Sequence, residues 1–214
     1  MRVTPYREAV GALMWAVTMT RPDVAYASHQ LGKFNDNPRP VHWRAAKRAR
    51  QNLWRTKDVE ITYGGTPGSC TKWSTWEDAN FVTCPDTRRL ASGGAVILGG
   101  GAISWFSTAT PSSKSEYVAL AEVVNSLRFL QQVKGFLTPP IDNNIIIRED
   151  NEGAIKMPTN RISNRCTRHV DARHHIVRDA VNSGVVQIHN VKSGEQHADV
   201  LTKALDVNSF ETHA

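Results

Sequence analysis

Ile145-Ile146-Ile147-Arg148-Glu149-Asp150-Asn151-Glu152-Gly153-Ala154-Ile155 is the stretch on which the fold turns. Three β-branched residues predict a short strand, which runs into a carboxylate; Gly153 and an apolar step at helical spacing follow at once. An acid at the carboxyl end of a strand in an α/β protein stands where ligands and metals bind. Glu-Asp-Asn is equally ordinary turn chemistry, so the stretch alone leaves a solvated turn open. The choice depends on whether other acids are placed to converge on Asp150.

Downstream, a short helix from Glu152 to Met157 stops at Pro158. A polar loop, basic at Arg161, Arg165 and Arg168, leads into a helix over about 167–183 that Gly184 would cap. Val185–Val191 is the next strand, and Glu195–Leu205 a last helix. Upstream, Thr110-Pro111-Ser112-Ser113 opens the longest helix, with Tyr117, Leu120, Val124, Leu127 and Leu130 or Gln131 on one side. Gly94–Leu98 and Ala102–Ser107 flank Gly99-Gly100-Gly101 as a hairpin. Cys70–Glu77, ending at Asp78, is the first strand. The order β-β-β-α-β-α-α-β-α predicts an α/β domain with a five-stranded mixed sheet and helices on its faces.

The first sixty residues have no strand pattern. Tyr6, Val10, Leu13 and Val17 recur at helical spacing, and Val24, Ala27, Leu31 and Phe34 do so after Arg21-Pro22. A third helix runs from about His42 to Arg55, with Trp43, Ala46, Ala49 and Leu53 on its apolar side. Arg44, Lys47, Arg48, Gln51 and Arg55 form a stripe that either follows a phosphate backbone or is a solvated basic face. Gly64-Gly65-Thr66-Pro67-Gly68 reads as a linker. The expected division is a helical segment over 1–63, a linker over 64–68, an α/β domain over 69–207 and a tail over 208–214.

Composition sets outer bounds. Of 214 residues, 40% are hydrophobic and 21% charged, which excludes a disordered chain. The net charge of +6, from 26 basic and 20 acidic residues, favours a polyanionic partner. No apolar run approaches a membrane span and no signal-peptide core opens the chain, so a soluble, intracellular protein without a membrane partner is expected. Cys70, Cys84 and Cys166 form no C-x-x-C pair, which argues for reduced thiols.

Four acids have a consistent placement: Asp78 ends the first strand, Glu116 lies in the first turn of the long helix, Asp150 ends the fourth strand and Asp199 begins the last helix. If the first and fourth strands are neighbours, the aspartates emerge at one edge, where the helix starts can bring the other two. Such a cluster repels itself, and hard divalent cations with oxygen ligands are the natural remedy. Two such ions can support phosphodiester hydrolysis. Each acid also has a plainer role. Ser113 and Glu116 match a capping box, Asp199 suits the positive end of a helix dipole, and Asp78 is one of several acids near its strand end.

The chain resembles the reverse transcriptase connection and ribonuclease H region of copia-type LTR retrotransposon Pol polyproteins. Tyr6-Arg7 to Leu13 resembles Y-R-x-x-V-G-x-L, Thr20 to Ala27 resembles T-R-P-D-I-A-Y-A, and Asn37-Pro38 through His42 to Arg48 resembles N-P-x-x-x-H-W-x-A-A-K-R. Asp78-Ala79-Asn80-Phe81 with Asp86 to Arg89 is similar to D-A-D-W-A followed by D-x-R-R, and Gly100 to Trp105 to G-G-x-x-S-W. Glu116 to Glu122 is similar to E-Y-x-A-L-A-E, Asp150 to Ile155 to D-N-Q-G-A-I, Thr167 to His175 to T-K-H-I-D-I-R-Y-H, and Ala198 to Lys203 to A-D-I-L-T-K. The match runs in order over nearly the whole chain.

The resemblance implies a ribonuclease H-like fold and cleavage of the RNA strand of RNA–DNA hybrids. It implies that Asp78, Glu116, Asp150 and Asp199 hold two Mg2+ or Mn2+ ions. Phosphates would be held by Arg44, Lys47, Arg48, Arg88, Arg89, Arg165 and Arg168, and His197 is a candidate proton shuttle. The polymerase part of the same polyprotein is a further expected partner, and a cytoplasmic virus-like particle or the nucleus the expected location. His174 is expected in the core beside Val170, Val177 and Val181. Departures from the pattern are Glu77 before the first aspartate, Asn80 for an acid, Lys114 for a glutamate and Glu152 for a glutamine. They keep all four acids but fit a decaying element copy, so the rival is a non-catalytic nucleic-acid-binding remnant. An integrase-like nuclease fits the order of acids less well, and no Y-x-D-D strand precedes the connection to support polymerisation.

Overall fold

The computed structural model describes residues 4–64, 73–80, 89–111, 115–134, 145–156, 168–206 and 208–210. Three helices come first: α1 (Tyr6–Met19), α2 (Ala25–Gly32) and α3 (Pro40–Arg55). Tyr6, Val10, Leu13, Leu31 and Ala46 form their core, with Phe34, Trp43, Ala49 and Leu53 packed against it. The Tyr6 hydroxyl donates to the Leu31 carbonyl at 2.8 Å, which satisfies the buried phenol. On α2 the inward face is Ala25, Ser28 and Leu31, whereas Ala27 is exposed, one step round the helix from the expected face. A 3-10 turn over Pro22–Val24 resets the phase before α2 begins.

The Arg21-Pro22-Asp23 sequence does local work. Arg21 Nε and Nη2 donate to the two Asp23 carboxylate oxygens at 2.8 and 2.6 Å, and Arg21 Nη1 reaches the Thr56 carbonyl at 3.0 Å. A buried, two-pronged guanidinium thereby ties the start of α2 to the end of α3.

The remaining strands and helices are β1 (Trp73–Asn80), β2 (Arg89–Leu98), β3 (Gly101–Pro111), α4 (Ser115–Lys134), β4 (Ile145–Glu149), α5 (Glu152–Lys156), α6 (Arg168–Asn182), β5 (Val186–Asn190) and α7 (Asp199–Thr202). The sheet order is β3-β2-β1-β4-β5. β1 and β3 run antiparallel to β2, and β4 runs parallel to β1 and β5. Gly99 and Gly100, at φ of 66° and 87°, make the two-residue turn between β2 and β3; two positive φ values in succession suit glycine and a right-twisted hairpin. The expected ribonuclease H-like fold, a five-stranded mixed sheet flanked by helices, is present.

The sheet is covered on both faces. Trp73, Val96, Leu120, Val124, Leu127, Ile145, Ile147 and Val177 form the larger core between the sheet, α4 and α6. Opposite, Ala25, Val200 and Leu201 pack with Val17, Ala95, Trp105, Leu205 and Phe210, joining the helical segment and α7 to the sheet. Trp105 Nε1 donates to the Val17 carbonyl at 2.8 Å across this seam. Gly64 N and the Tyr63 hydroxyl bond the hairpin at the Gly99 and Ala102 carbonyls. Among the described residues no helix is long and apolar enough to cross a membrane.

Several elements differ from expectation. β2 and β3 are longer than the runs Gly94–Leu98 and Ala102–Ser107, and Thr110 and Pro111, expected to open the long helix, instead end β3, with α4 starting at Ser115. β1 continues to Asn80, because its antiparallel ladder with β2 runs on to Asn80 opposite Ala91, so Asp78 lies inside the strand. The expected helix over Glu195–Leu205 is broken into a 3-10 turn at Ser193–Glu195 and the single turn α7. Gln196 is the cause: its side chain is fully buried and donates from Nε2 to the Glu77 carbonyl at 2.7 Å, pinning the chain to β1 between the two pieces.

Candidate active site

β1 alternates as a strand covered on both faces must. Trp73, Thr75 and Glu77 are buried on the α4 side, and Ser74, Trp76 and Asp78 point to the side of α7. The parallel ladder of Thr75 with Ile147 and Trp76 with Arg148 carries Asp150, just beyond β4, alongside Asp78 at the carboxyl edge of the sheet. Ile145 and Ile147, both wholly buried, hold β4 in that register; the strand ends at Glu149, so Asp150, expected to end it, lies in the bend that follows directly and is held by a core strand.

Asp199 reaches the same place from α7. Gly93, opposite Asp78 on β2, permits the approach: a Cβ there would lie 2.6 Å from Leu201 Cβ and 2.9 Å from Thr202 Cγ2. Ser107 Oγ, from β3, donates to the Leu201 carbonyl at 2.7 Å and fixes α7 from the other side.

Asp78 is 4% exposed and Asp199 8%. Thr202 Oγ1 donates to Asp78 Oδ2 in a short hydrogen bond. Lys203 Nζ lies 2.6 Å from Asp199 Oδ1 and 3.5 Å from Asp78 Oδ2, bridging the acids. Burial pushes the Asp78 carboxyl up to about 6; the charges of Asp199 and Asp150 add to the rise, and Thr202 and Lys203 oppose it. Burial works against the Lys203 ammonium, but the bond to Asp199 and the surrounding carboxylates outweigh it and hold its pKa above the ordinary lysine value.

Glu116 lies in the first turn of α4, which follows β3. Pro111, at the end of β3, pairs with Arg89, beyond the level of Asn80. The backbone of α4 therefore starts at the carboxyl edge of β1, while the Glu116 side chain lies outside the described residues. Among the described residues no three His, Cys, Asp or Glu side chains are arranged to hold a metal ion. The donor set at this edge is carboxylate oxygen, the kind that fits hard divalent cations.

The His197 ring packs edge-on against Trp76, with centroids 4.4 Å apart, at the wall of a cleft of about 560 Å³ between the helical segment and the sheet. The Arg148 guanidinium covers Trp76 at 4.8 Å and donates to Ser74 Oγ at 2.6 Å. Arg44, Lys47 and Arg48 are exposed on α3. Arg89 and Arg168 head β2 and α6, with side chains outside the described residues, where Arg88, Arg165 and the His174 side chain also lie. Glu152 is exposed at the start of α5. Sequence reasoning passed over Thr202, Lys203 and Gln196. The Asp199–Lys203 spacing, an i,i+4 ion pair, was the available signal for Lys203.

No family model matches the chain. It is 30% identical, over 220 aligned residues, to the retrovirus-related Pol polyprotein of transposon TNT 1-94 from Nicotiana tabacum, covering 99% of this chain and 16% of that protein. Its homologues include retrovirus-related Pol polyproteins of plant transposons. The polyprotein of transposon RE2 from Arabidopsis thaliana is 29% identical to this chain, over 97% of the chain and 14% of its own length. The chain thus spans about one-sixth or less of these relatives. It also matches, at 36% identity, a protein named secreted RxLR effector protein 161 from Plasmopara viticola, over 61% of the chain and 94% of the effector. Among solved structures, LC11-RNase H1 isolated from compost has a TM-score of 0.46 at 12% identity, over 62% of this chain and 93% of that chain.

Proposed function

We propose that this chain is the ribonuclease H of a copia-type element and hydrolyses the RNA strand of RNA–DNA hybrids. The observation that supports the reading is that Asp78 and Asp199 share Lys203 at the sheet edge to which the β1–β4 pairing also brings Asp150, whose charge adds to the rise at Asp78. Asp78 and Asp150 are assigned to hold two Mg2+ or Mn2+ ions, with Glu116 and Asp199 completing their ligands. When bound, such ions activate water and stabilise the leaving oxygen of a phosphodiester.

The chain's own residues supply position and exclusion. β1 carries one carboxylate within a buried strand and β4 holds the other in the bend directly after it, so the acids do not have to be ordered when substrate arrives. Leu201 and Val200 pack α7 into the seam with Ala25, which holds Asp199 in place. Arg44, Lys47 and Arg48, with Arg88, Arg89, Arg165 and Arg168, are assigned to hybrid phosphates, and the 2′-hydroxyl distinguishes the RNA strand. His197 is assigned to proton transfer from its perch on Trp76. The polymerase portion of the polyprotein is the proposed partner for the exposed Met14, Trp15 and Met19 of α1, with action in a cytoplasmic virus-like particle or the nucleus.

A second reading, a nucleic-acid-binding remnant without catalysis, is favoured by one observation: Lys203 already offsets part of the charge of Asp78 and Asp199. Cleavage of a labelled RNA–DNA hybrid that requires Mg2+ and is lost in Asp150→Asn supports the enzyme. Hybrid binding with no cleavage at any Mg2+ or Mn2+ concentration leaves the remnant.

A further inference from the structure

We propose that Lys203 is a built-in counter-cation that competes with divalent metal for Asp78 and Asp199, so that metal loading requires its ammonium to swing out. The inference rests on the metal-binding assignment above and adds to it a residue that sets how tightly the metal binds.

The geometry has three parts. Asp78 and Asp199 are almost wholly buried and face each other across the β1–α7 contact, an arrangement that needs a positive charge. Lys203 supplies one, and it occupies Asp199 Oδ1 and approaches Asp78 Oδ2. A hard cation seeks carboxylate oxygens of the same kind, so ammonium and metal draw on one donor set. The lysine is also free to leave: its side chain is 29% exposed, on a flexible four-carbon stem, and it follows α7 at its last turn. Like charges a few ångströms apart at a buried edge repel strongly, so the two cations exclude each other.

Lys203→Gln removes the competing charge and keeps a polar side chain of similar length; Lys203→Arg keeps the charge. Titration of the full chain with Mn2+ and with Mg2+ by calorimetry, with no nucleic acid present, is expected to show about tenfold or tighter binding to Lys203→Gln. Lys203→Arg should bind like the unaltered chain. In the unaltered chain, amine labelling followed by mass spectrometry should show Lys203 becoming more reactive when Mg2+ is added; this measurement needs no variant to fold. Equal or weaker metal binding by Lys203→Gln, or Lys203 labelling that falls or stays constant on metal addition, would overturn the proposal. Metal bound equally by both proteins overturns it while leaving the nuclease reading standing. Metal bound by neither overturns both.

Discussion

Asp78 sits in an environment far from that of a free side chain. Its pKa of about 6 in the folded protein, against 3.8 for an ordinary aspartate, means that the folded state holds the proton more tightly than the unfolded chain. The sign follows: the group costs no stability below about pH 4, the cost grows as pH rises through 6, and it is complete above that. At about 1.4 kcal/mol per pKa unit, the cost approaches 3 kcal/mol. Asp78→Asn keeps an acceptor for Thr202 and removes the charge. It should therefore raise the melting temperature of the metal-free protein at pH 8 and leave it nearly unchanged at pH 3.5, while abolishing cleavage. A variant less stable than the parent at pH 8 would contradict this account of the site.

Elements place these residues, and one glycine and one helix test how. Gly93→Ala sets a methyl group against Leu201 Cβ, a backbone-proximal atom that cannot swing aside. The substitution should cost about 1–3 kcal/mol in urea unfolding and push α7 off β2, lowering hybrid cleavage by carrying Asp199 away from Asp78. Stability equal to the parent would show that α7 is not seated as described. On α3 the exposed Arg44, Lys47 and Arg48 carry a charge prediction. Changing all three to glutamine should reduce the slope of log affinity against log salt for hybrid binding by about two to three. An unchanged slope would return that face to the solvent. These helix faces were legible in sequence because α1 and α3 each bury one stripe at 3.6-residue spacing. The last helix was not, because the break at Gln196 depends on a carbonyl 119 residues away.

At the scale of the whole molecule, the helical segment and the sheet share a core through Ala25, Val17, Trp105 and Leu201. Trp105→Phe preserves the ring packing but removes the donor to the Val17 carbonyl, and should cost about 1 kcal/mol, read as a lower urea midpoint. If the seam carries no stability, the midpoint will not move.

The order of strands and helices, the identity of the acids and their even spread along the chain belonged to the sequence, since hydrophobic period and turn chemistry are local properties. Asp150 just beyond Ile145–Ile147 was readable in that way; Asp199 was readable as a helix acid, but it opens α7 only because of the break at Gln196. Only the tertiary structure decided that β1 and β4 lie side by side, because strand pairing is set by long-range burial of both faces and no local pattern encodes it. It also decided that Asp78 sits within a strand closed over by α7, which is what perturbs its proton affinity. Lys203 shows the same division most sharply. Its spacing from Asp199 is written in the chain, but its reach to Asp78 exists only once Gly93 lets α7 settle on the sheet.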